Sequence, residues 1–329
     1  MYPSALRNNV VLTAPAEPVN PNAKRLTGVD LYSRFALAGA LCCAITHGAL
    51  TPVDVVKTRI QLEPERYSSG MVNAFRTVIK EEGAGALLTG IGPTFAGYFL
   101  QGAFKFGGYE FWKKTLIESV GLETAQNNRT AIYLTSSAIA EFFADVALCP
   151  LEATRIRLVS QPGYANGLVG GFSRILKEEG VVRGFYSGFG PILFKQIPYT
   201  MAKFVVYEIA AENIYKAIGK SKDQMSSGAN DAVNLGSGMI AGAAAAVISQ
   251  PADTLLSKIN KTKGAEGESI SSRLVGMSKQ LGVKGLFLGL GPRIVMVATL
   301  TAGQFAIYGR IKEALGATAG VDLAKQPSK

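Results

Sequence analysis

The sequence is short of what a catalytic or disulfide-built protein needs: it has one histidine, one tryptophan and three cysteines in 329 residues. Cys42, Cys43 and Cys149 are odd in number, lie among apolar residues and lack zinc-ligand spacing. That pattern excludes a disulfide framework and a zinc site, and it reads the three as buried small hydrophobes. There is no phosphate-binding loop, no metal-ligand cluster and no nucleophile paired with a base, so the sequence gives an enzyme nothing to work with. Charge is sparse, at 18% of residues, with 34 basic against 24 acidic side chains and a net charge of +10. The basic residues do not form the single-face patch that nucleic acid requires, so no such partner is expected. The first 25 residues hold Pro3, Pro15, Pro18 and Pro21 and show neither the apolar core of a signal peptide nor an Arg-rich amphipathic presequence. They read as a disordered tail, with any targeting information internal.

Uniformly greasy segments are missing too, although 48% of residues are hydrophobic and the mean hydropathy is +0.20. In their place are six apolar runs, near residues 32–60, 92–116, 130–158, 190–215, 232–258 and 291–315. Each is long enough for a bilayer core, which takes about 20 helical residues. Small residues and a few charges interrupt every run, which suits helices packed around a wet interior with the charges facing inward. A soluble helical repeat fits poorly, because a stretch such as GSGMIAGAAAAVISQ (236–250) has almost no polar face for water.

The chain is organised by a motif that returns three times. Pro52-Val-Asp54-Val-Val-Lys57, Pro150-Leu-Glu152-Ala-Thr-Arg155 and Pro251-Ala-Asp253-Thr-Leu-Leu256 have prolines 98 and then 101 residues apart. A Gly-x-Gly-Pro block follows each, and its proline (Pro93, Pro191, Pro292) always lies 41 residues after the first. A threefold repeat holding that offset fixes the architecture. The expectation is an all-α membrane protein: six transmembrane helices in three two-helix repeats of about 100 residues with pseudo-threefold symmetry. The boundaries read as tail 1–28, repeats 29–125, 126–228 and 229–316, and tail 317–329.

Loop charge orients the bundle. The three loops after the motifs hold 16 Lys and Arg, and the two loops on the other side hold 6. By the positive-inside rule the motif side faces the more negative compartment, and both termini face the opposite one. Within the basic loops, Val72–Lys80, Leu168–Lys177 and Leu274–Gln280 carry the pattern of short amphipathic helices at the interface.

Two-span repeats with this acidic and basic motif closing the odd helix and a glycine motif opening the even one resemble the mitochondrial carrier family, over residues 30–315. QGAFKFGGYEFWK (101–113), KQIPYTMAKFVVYE (195–208) and QPADTLLSK (250–258) are similar to its phosphate-carrying branch, in the fungal form. The resemblance implies the mitochondrial inner membrane, with termini in the intermembrane space. It also implies alternating access, and phosphate moved into the matrix with a proton or against hydroxide. No cofactor is expected, and structural cardiolipin at the helix N-termini by Gly90, Gly188 and Gly289 is carried mainly by the resemblance.

Each motif proline kinks its helix and leaves the acid and base near one face below the kink. The family pairs the acid of one repeat with the base of the next, which here gives a matrix gate of Asp54 with Arg155 and Asp253 with Lys57. Leu256 occupies the third basic position, so Glu152 lacks a motif partner. Either Glu152 carries a proton, or water or Lys258 keeps it ionised. Towards the other face, Tyr109-Glu110-x-x-Lys113 resembles the family's second gate. Tyr207-Glu208 lacks a base and Tyr308-Gly309 lacks an acid, so Glu208 with Lys312 is expected to close part of it.

The small-residue stripe Gly238, Gly242, Ala246 of the third odd helix corresponds to Ser137, Glu141, Asp145 in the second and Gly39, Cys43, His47 in the first. Titratable groups have replaced small ones there, and intramembrane ionisable groups are costly and usually functional. His47, Glu141 and Glu152, with Asp145, are the candidate proton route. On the even helices Lys105, Lys203 and Gln304 each lie 12 residues after the block proline. Mid-membrane lysines need an anion or a carboxylate, and phosphate needs such donors. These three, with Gln101, Lys195, Gln196 and Arg293, are the candidate substrate residues. Two other functional classes stay open: a carrier of another solute, copper ions included, and a non-transporting membrane scaffold.

Overall fold

The computed structural model describes residues 28–63, 65–67, 70–161, 163–220, 224–261, 270–287 and 290–317. The expected tails lie outside them except for Gly28 and Ala317, as do the side chain of Lys258 and the whole of Gly289. In order, the elements begin with α1 (Gly28–Leu62), α2 (Met71–Glu82), a 3-10 turn (Ala84–Leu88), α3 (Ile91–Gly102), a π turn (Ala103–Gly107), α4 (Gly108–Val120) and α5 (Leu122–Asn127). They continue with α6 (Arg129–Ser160), α7 (Gly167–Tyr186), α8 (Phe189–Ile218), α9 (Ser227–Lys261), α10 (Ile270–Leu286) and α11 (Leu290–Ala314). No strand occurs among the described residues.

The six apolar runs are therefore six long helical stretches. Pro52, Pro150 and Pro251 sit inside α1, α6 and α9, each of which continues about three turns beyond its proline. A missing N–H costs one ladder bond and bends the helix without ending it. Gly28–Ile60, Arg129–Ser160, Ser227–Leu256 and Arg293–Ala314 are apolar enough to cross a membrane by composition alone. The stretch α3 to α4 and helix α8 are equally long and carry more charge, including Lys105, Glu110, Lys113, Lys203 and Glu208. The amphipathic helices expected in the basic loops are α2, α7 and α10. The last two run longer than their patterns because the chain turns at Gly180 (φ 75°) and Gly282 (φ 57°) and resumes helix, a conformation glycine adopts without steric cost.

Burial departs from that of a water-soluble protein, although most buried residues are hydrophobic. Lys105, Lys113, Lys203, Glu141, Asp145, Gln101 and Gln304 are all at most 4% exposed. Phe95, Phe104, Phe143, Phe194, Ile240, Ile248 and Val295 are at least 44% exposed. Buried charged side chains together with large exposed apolar ones are what a lipid environment selects.

Contacts divide the chain into two compact units that cut across the repeats: residues 1–35, 108–142 and 191–329, and residues 36–107 and 143–190. In the first, Ile117, Ala125, Ile132, Tyr133 and Val205 form a core between α4, α5, α6 and α8. Leu31, Phe35 and Ala317 join the start of α1 to the end of α11, where Arg34 donates to the Leu315 carbonyl at 2.6 Å. In the second, Val56, Tyr67, Ala74 and Val78 pack α2 on α1, and Arg59 bonds Glu82 at 2.8 Å. Outside the spans, α7 holds Arg174 by a hydrogen bond to Glu178 that raises its affinity for its proton.

Candidate functional site

In the first unit, α8 and α11 bring the lysine of the second repeat to the glutamine of the third. Lys203 is 1% exposed, and its Nζ donates to Gln304 Oε1 at 2.6 Å. The rings of Phe305, Phe204 and Tyr199 lie 5.4, 5.9 and 6.0 Å from the ammonium. Aromatic faces offset part of the cost of burying a cation. Tyr199 Oη and Thr301 Oγ1, at 3.4 Å, add hydroxyls next to the pair. One side of Phe305 is stacked on Tyr207 at 3.6 Å, and Tyr207 in turn donates to Asn234 Oδ1 at 2.9 Å, so the floor under Lys203 is rigidly built. Lys195 and Gln196, earlier on α8, are half-buried and make no side-chain hydrogen bond or ion pair among the described residues.

The same unit holds the gate expected towards the far face. Lys113, 2% exposed, reaches Glu110 at 3.2 Å and Glu208 at 3.5 Å, and Tyr109 donates to the same Glu208 oxygen at 3.3 Å. The acid supplied by the second repeat therefore meets the base of the first. Lys312 lies 4.8 Å from the Phe35 ring and 5.1 Å from the Tyr308 ring.

In the second unit, the Gln101 amide donates to Asp145 Oδ1 at 3.3 Å, joining a candidate substrate residue to a candidate proton carrier. Both are buried, as are Lys105 on the π turn and, in the first unit, Glu141 one turn before Asp145. The His47 ring lies flat on Tyr98 with centroids 3.6 Å apart and 2° between planes. Tyr98 was missed by sequence reasoning. It lies five residues after Pro93, where the other repeats carry Gln196 and Val297, and nothing in its own pattern marks it.

The motif ends form one ion pair that was expected and two that were not. Asp54 Oδ2 lies 3.0 Å from Arg155, which links the first repeat to the second. Glu152, expected to lack a motif partner, takes the same arginine at 2.8 Å. The two are three residues apart on one helix face, close enough for a local pair to form before any tertiary one. Asp253, expected with Lys57, is paired with Arg293 at 2.5 Å, and Arg293 also donates to Ser249 at 2.8 Å. Lys57 is exposed. Arg293, expected among the substrate residues, thus supplies from α11 a base for Asp253. A recess of about 550 Å³ lined by Asn128, Arg129, Glu212 and Lys216 holds none of the residues singled out above, and Arg129 there is already bonded to Glu212 at 2.6 Å.

The family model described as "Mitochondrial carrier protein" matches residues 31–120, 126–217 and 229–318. The chain belongs to the mitochondrial carrier family. Members of this family are carriers rather than enzymes, and three tandem matches account for the three motif copies. Among similar proteins, "Mitochondrial substrate carrier family protein N" of Dictyostelium discoideum is 53% identical over 292 residues, covering 88% of this chain and 96% of that one. "Phosphate carrier protein, mitochondrial" of Caenorhabditis elegans is 45% identical over 285 residues, 86% of this chain and 81% of the relative. "Probable mitochondrial phosphate carrier protein" of Schizosaccharomyces pombe is 40% identical over 304 residues, 92% and 97% of the two chains.

Proposed function

We propose that this mitochondrial carrier moves inorganic phosphate across the mitochondrial inner membrane into the matrix, by alternating access, coupled to proton symport or hydroxide antiport. The observation that carries the reading is the buried Lys203, held by the Gln304 amide among three aromatic rings. A fixed ammonium with neighbouring amide and hydroxyl donors is what a tetrahedral oxyanion binds. Relatives named as phosphate carriers, at 45% and 40% identity, support that substrate class. Lys195 in the same unit and Lys105 in the other are further cationic candidates for the anion, and His47, Glu141 and Asp145 are the groups through which a proton would accompany it. Asp54 with Arg155 and Asp253 with Arg293 close the matrix side, while Lys113 with Glu110 and Glu208 closes the intermembrane-space side, where both termini lie. Cardiolipin is proposed as a structural lipid on the glycine-led ends of α3 and α8. A copper cargo has in its favour the buried Cys42 and Cys43, whose sulfurs lie 3.9 Å apart. It has no grouping of three metal-ligating residues among the described ones to receive it.

The test is uptake of radiolabelled phosphate by the purified protein in cardiolipin-containing liposomes, with and without an acidic exterior. Uptake that the pH gradient accelerates supports the coupled reading. Absence of uptake, with a control carrier active in the same preparation, overturns it in favour of another solute or a scaffold.

A further inference from the structure

The even-numbered stretch of the first repeat is wound differently from its two counterparts. Between α3 and α4 the chain makes a π turn at Ala103–Gly107, whereas α8 and α11 stay α-helical throughout. Sequence length does not cause this: Pro93 to Tyr109, Pro191 to Tyr207 and Pro292 to Tyr308 each span 16 residues. The cause lies in packing against α1. A β-carbon on Gly102 would fall 2.2 Å from the Gly39 carbonyl oxygen, and one on Gly107 would fall 2.8 Å from the Ala36 β-carbon. Both glycines therefore face α1, although five residues separate them. In a regular α-helix, residues five apart point about 140° away from each other. A turn with i to i+5 bonding brings the fifth residue back beneath the first. The π turn is the winding that lets both glycines meet α1.

Its consequence falls on the residues between the two glycines. Four residues fill a turn that normally holds three, with Phe104 46% exposed and Lys105 and Phe106 at 4% and 1%. At the same offset from the block proline, Lys105 is thus aimed differently from Lys203. We infer that the π turn is a positioning element of the substrate site. Gly102 and Gly107 fix its winding, and the winding sets the direction in which Lys105 presents its ammonium. The inference rests on the phosphate reading of Lys105.

Deleting Phe104 tests it. The deletion leaves the two glycines four apart, the spacing at which a regular α-helix keeps both on α1, so the thermal midpoint should stay near that of the parent while Lys105 rotates. The expected result in liposomes is a rise of about tenfold in the KM for phosphate, the loss of one charge-assisted bond. Adding Lys105→Ala to the deletion should cost nothing more, whereas alone it costs the same tenfold or so. Should the deletion fail to fold, Gly107→Ala, which presses on Ala36, replaces it in the same cycle. An unchanged KM, or effects of deletion and Lys105→Ala that multiply, overturns the inference. A second readout does not depend on transport: labelling of Lys105→Cys by a charged thiol reagent, with the parent as blank, should change rate when Phe104 is removed. Equal labelling rates overturn the rotation. Absence of phosphate uptake by the parent protein overturns the substrate reading alone.

Discussion

The third and first repeats use the same device, glycine-mediated contact between an odd and an even helix, and arrive at different structures. In the third, β-carbons on Gly238 and Gly242 would fall 2.8 and 2.6 Å from the α-carbons of Ala302 and Ala298, so residues four apart on α9 meet residues four apart on α11. Two regular helices lie flush, and no Asp, Glu, Lys or Arg occurs on α9 between Asp231 and Asp253. In the first, residues three apart on α1 meet residues five apart, a π turn absorbs the mismatch, and a lysine is buried in it. The corresponding stripe on α6 of the second repeat carries Glu141 and Asp145. The same repeat plan is a packed wall in one repeat and an ionisable lining in the others. Because the stripe positions are equivalent, exchanging what they hold tests the division directly.

The largest effect is expected where packing is tightest. Gly242→Leu puts a side chain 2.6 Å from Ala298 Cα and 2.7 Å from the Val297 carbonyl, atoms that cannot move aside without parting the helices. Overpacking of this kind should cost about 3 kcal/mol or more and lower the thermal midpoint and folded yield in detergent. Gly303→Ala on α11, where a β-carbon meets nothing within 4 Å, is the control and should be neutral or slightly stabilising. A well-folded Gly242→Leu protein would dissolve the contrast.

Next comes the equivalent position of the second repeat. Glu141→Gln keeps size and burial, so the thermal midpoint should hold. Uptake driven by a pH gradient should fall by about an order of magnitude or more, while phosphate-phosphate exchange persists. A parallel loss of exchange and gradient-driven uptake would make Glu141 a structural or substrate group instead of a coupling one.

A smaller effect is expected at the third motif, where the wall repeat has lost its base. Arg293→Ala leaves Asp253 and Ser249 without their partner. Asp253 is 42% exposed, so solvent screens much of the cost and about 1 kcal/mol is expected. Adding Leu256→Lys places a base three residues after Asp253, as Arg155 stands to Glu152, and should recover gate closure, followed as the rate of solute leak from liposomes. Failure of that second change to recover it would mean that Arg293 acts elsewhere than on Asp253.

These contrasts were unevenly legible in the sequence. The threefold architecture could be read because Pro52, Pro150 and Pro251 and their glycine blocks keep one offset, and the buried lysines because a charge in an apolar run stands out. Lys203 and Gln304 could be placed at one depth, but their 2.6 Å bond depends on how α8 packs on α11. The π turn left no trace in residue count, since it rewinds the helix without inserting anything; only the five-residue spacing of Gly102 and Gly107 records it. The ion pairs that Glu152 and Asp253 make were not legible, for opposite reasons. Glu152 took a local arginine that the family's inter-repeat pattern passes over, and Asp253 took an arginine 40 residues away that no motif contains.

The smallest expected effect concerns the histidine that faces the same choice between wall and lining. At its stripe position the third repeat has Ala246, which is fully buried, and the first has His47, stacked on Tyr98. A stacked ring restricts the imidazole to one plane, which matters only if the histidine exchanges protons with a group in a fixed direction. Tyr98→Phe keeps the face and should leave uptake unchanged. Tyr98→Leu removes it and should cost about 1 kcal/mol, or roughly fivefold in gradient-driven uptake. If the stack only fills space, Leu will alter the thermal midpoint and exchange rates alike; if it orients His47, gradient-driven uptake will fall while exchange does not, and His47 then belongs with the lining.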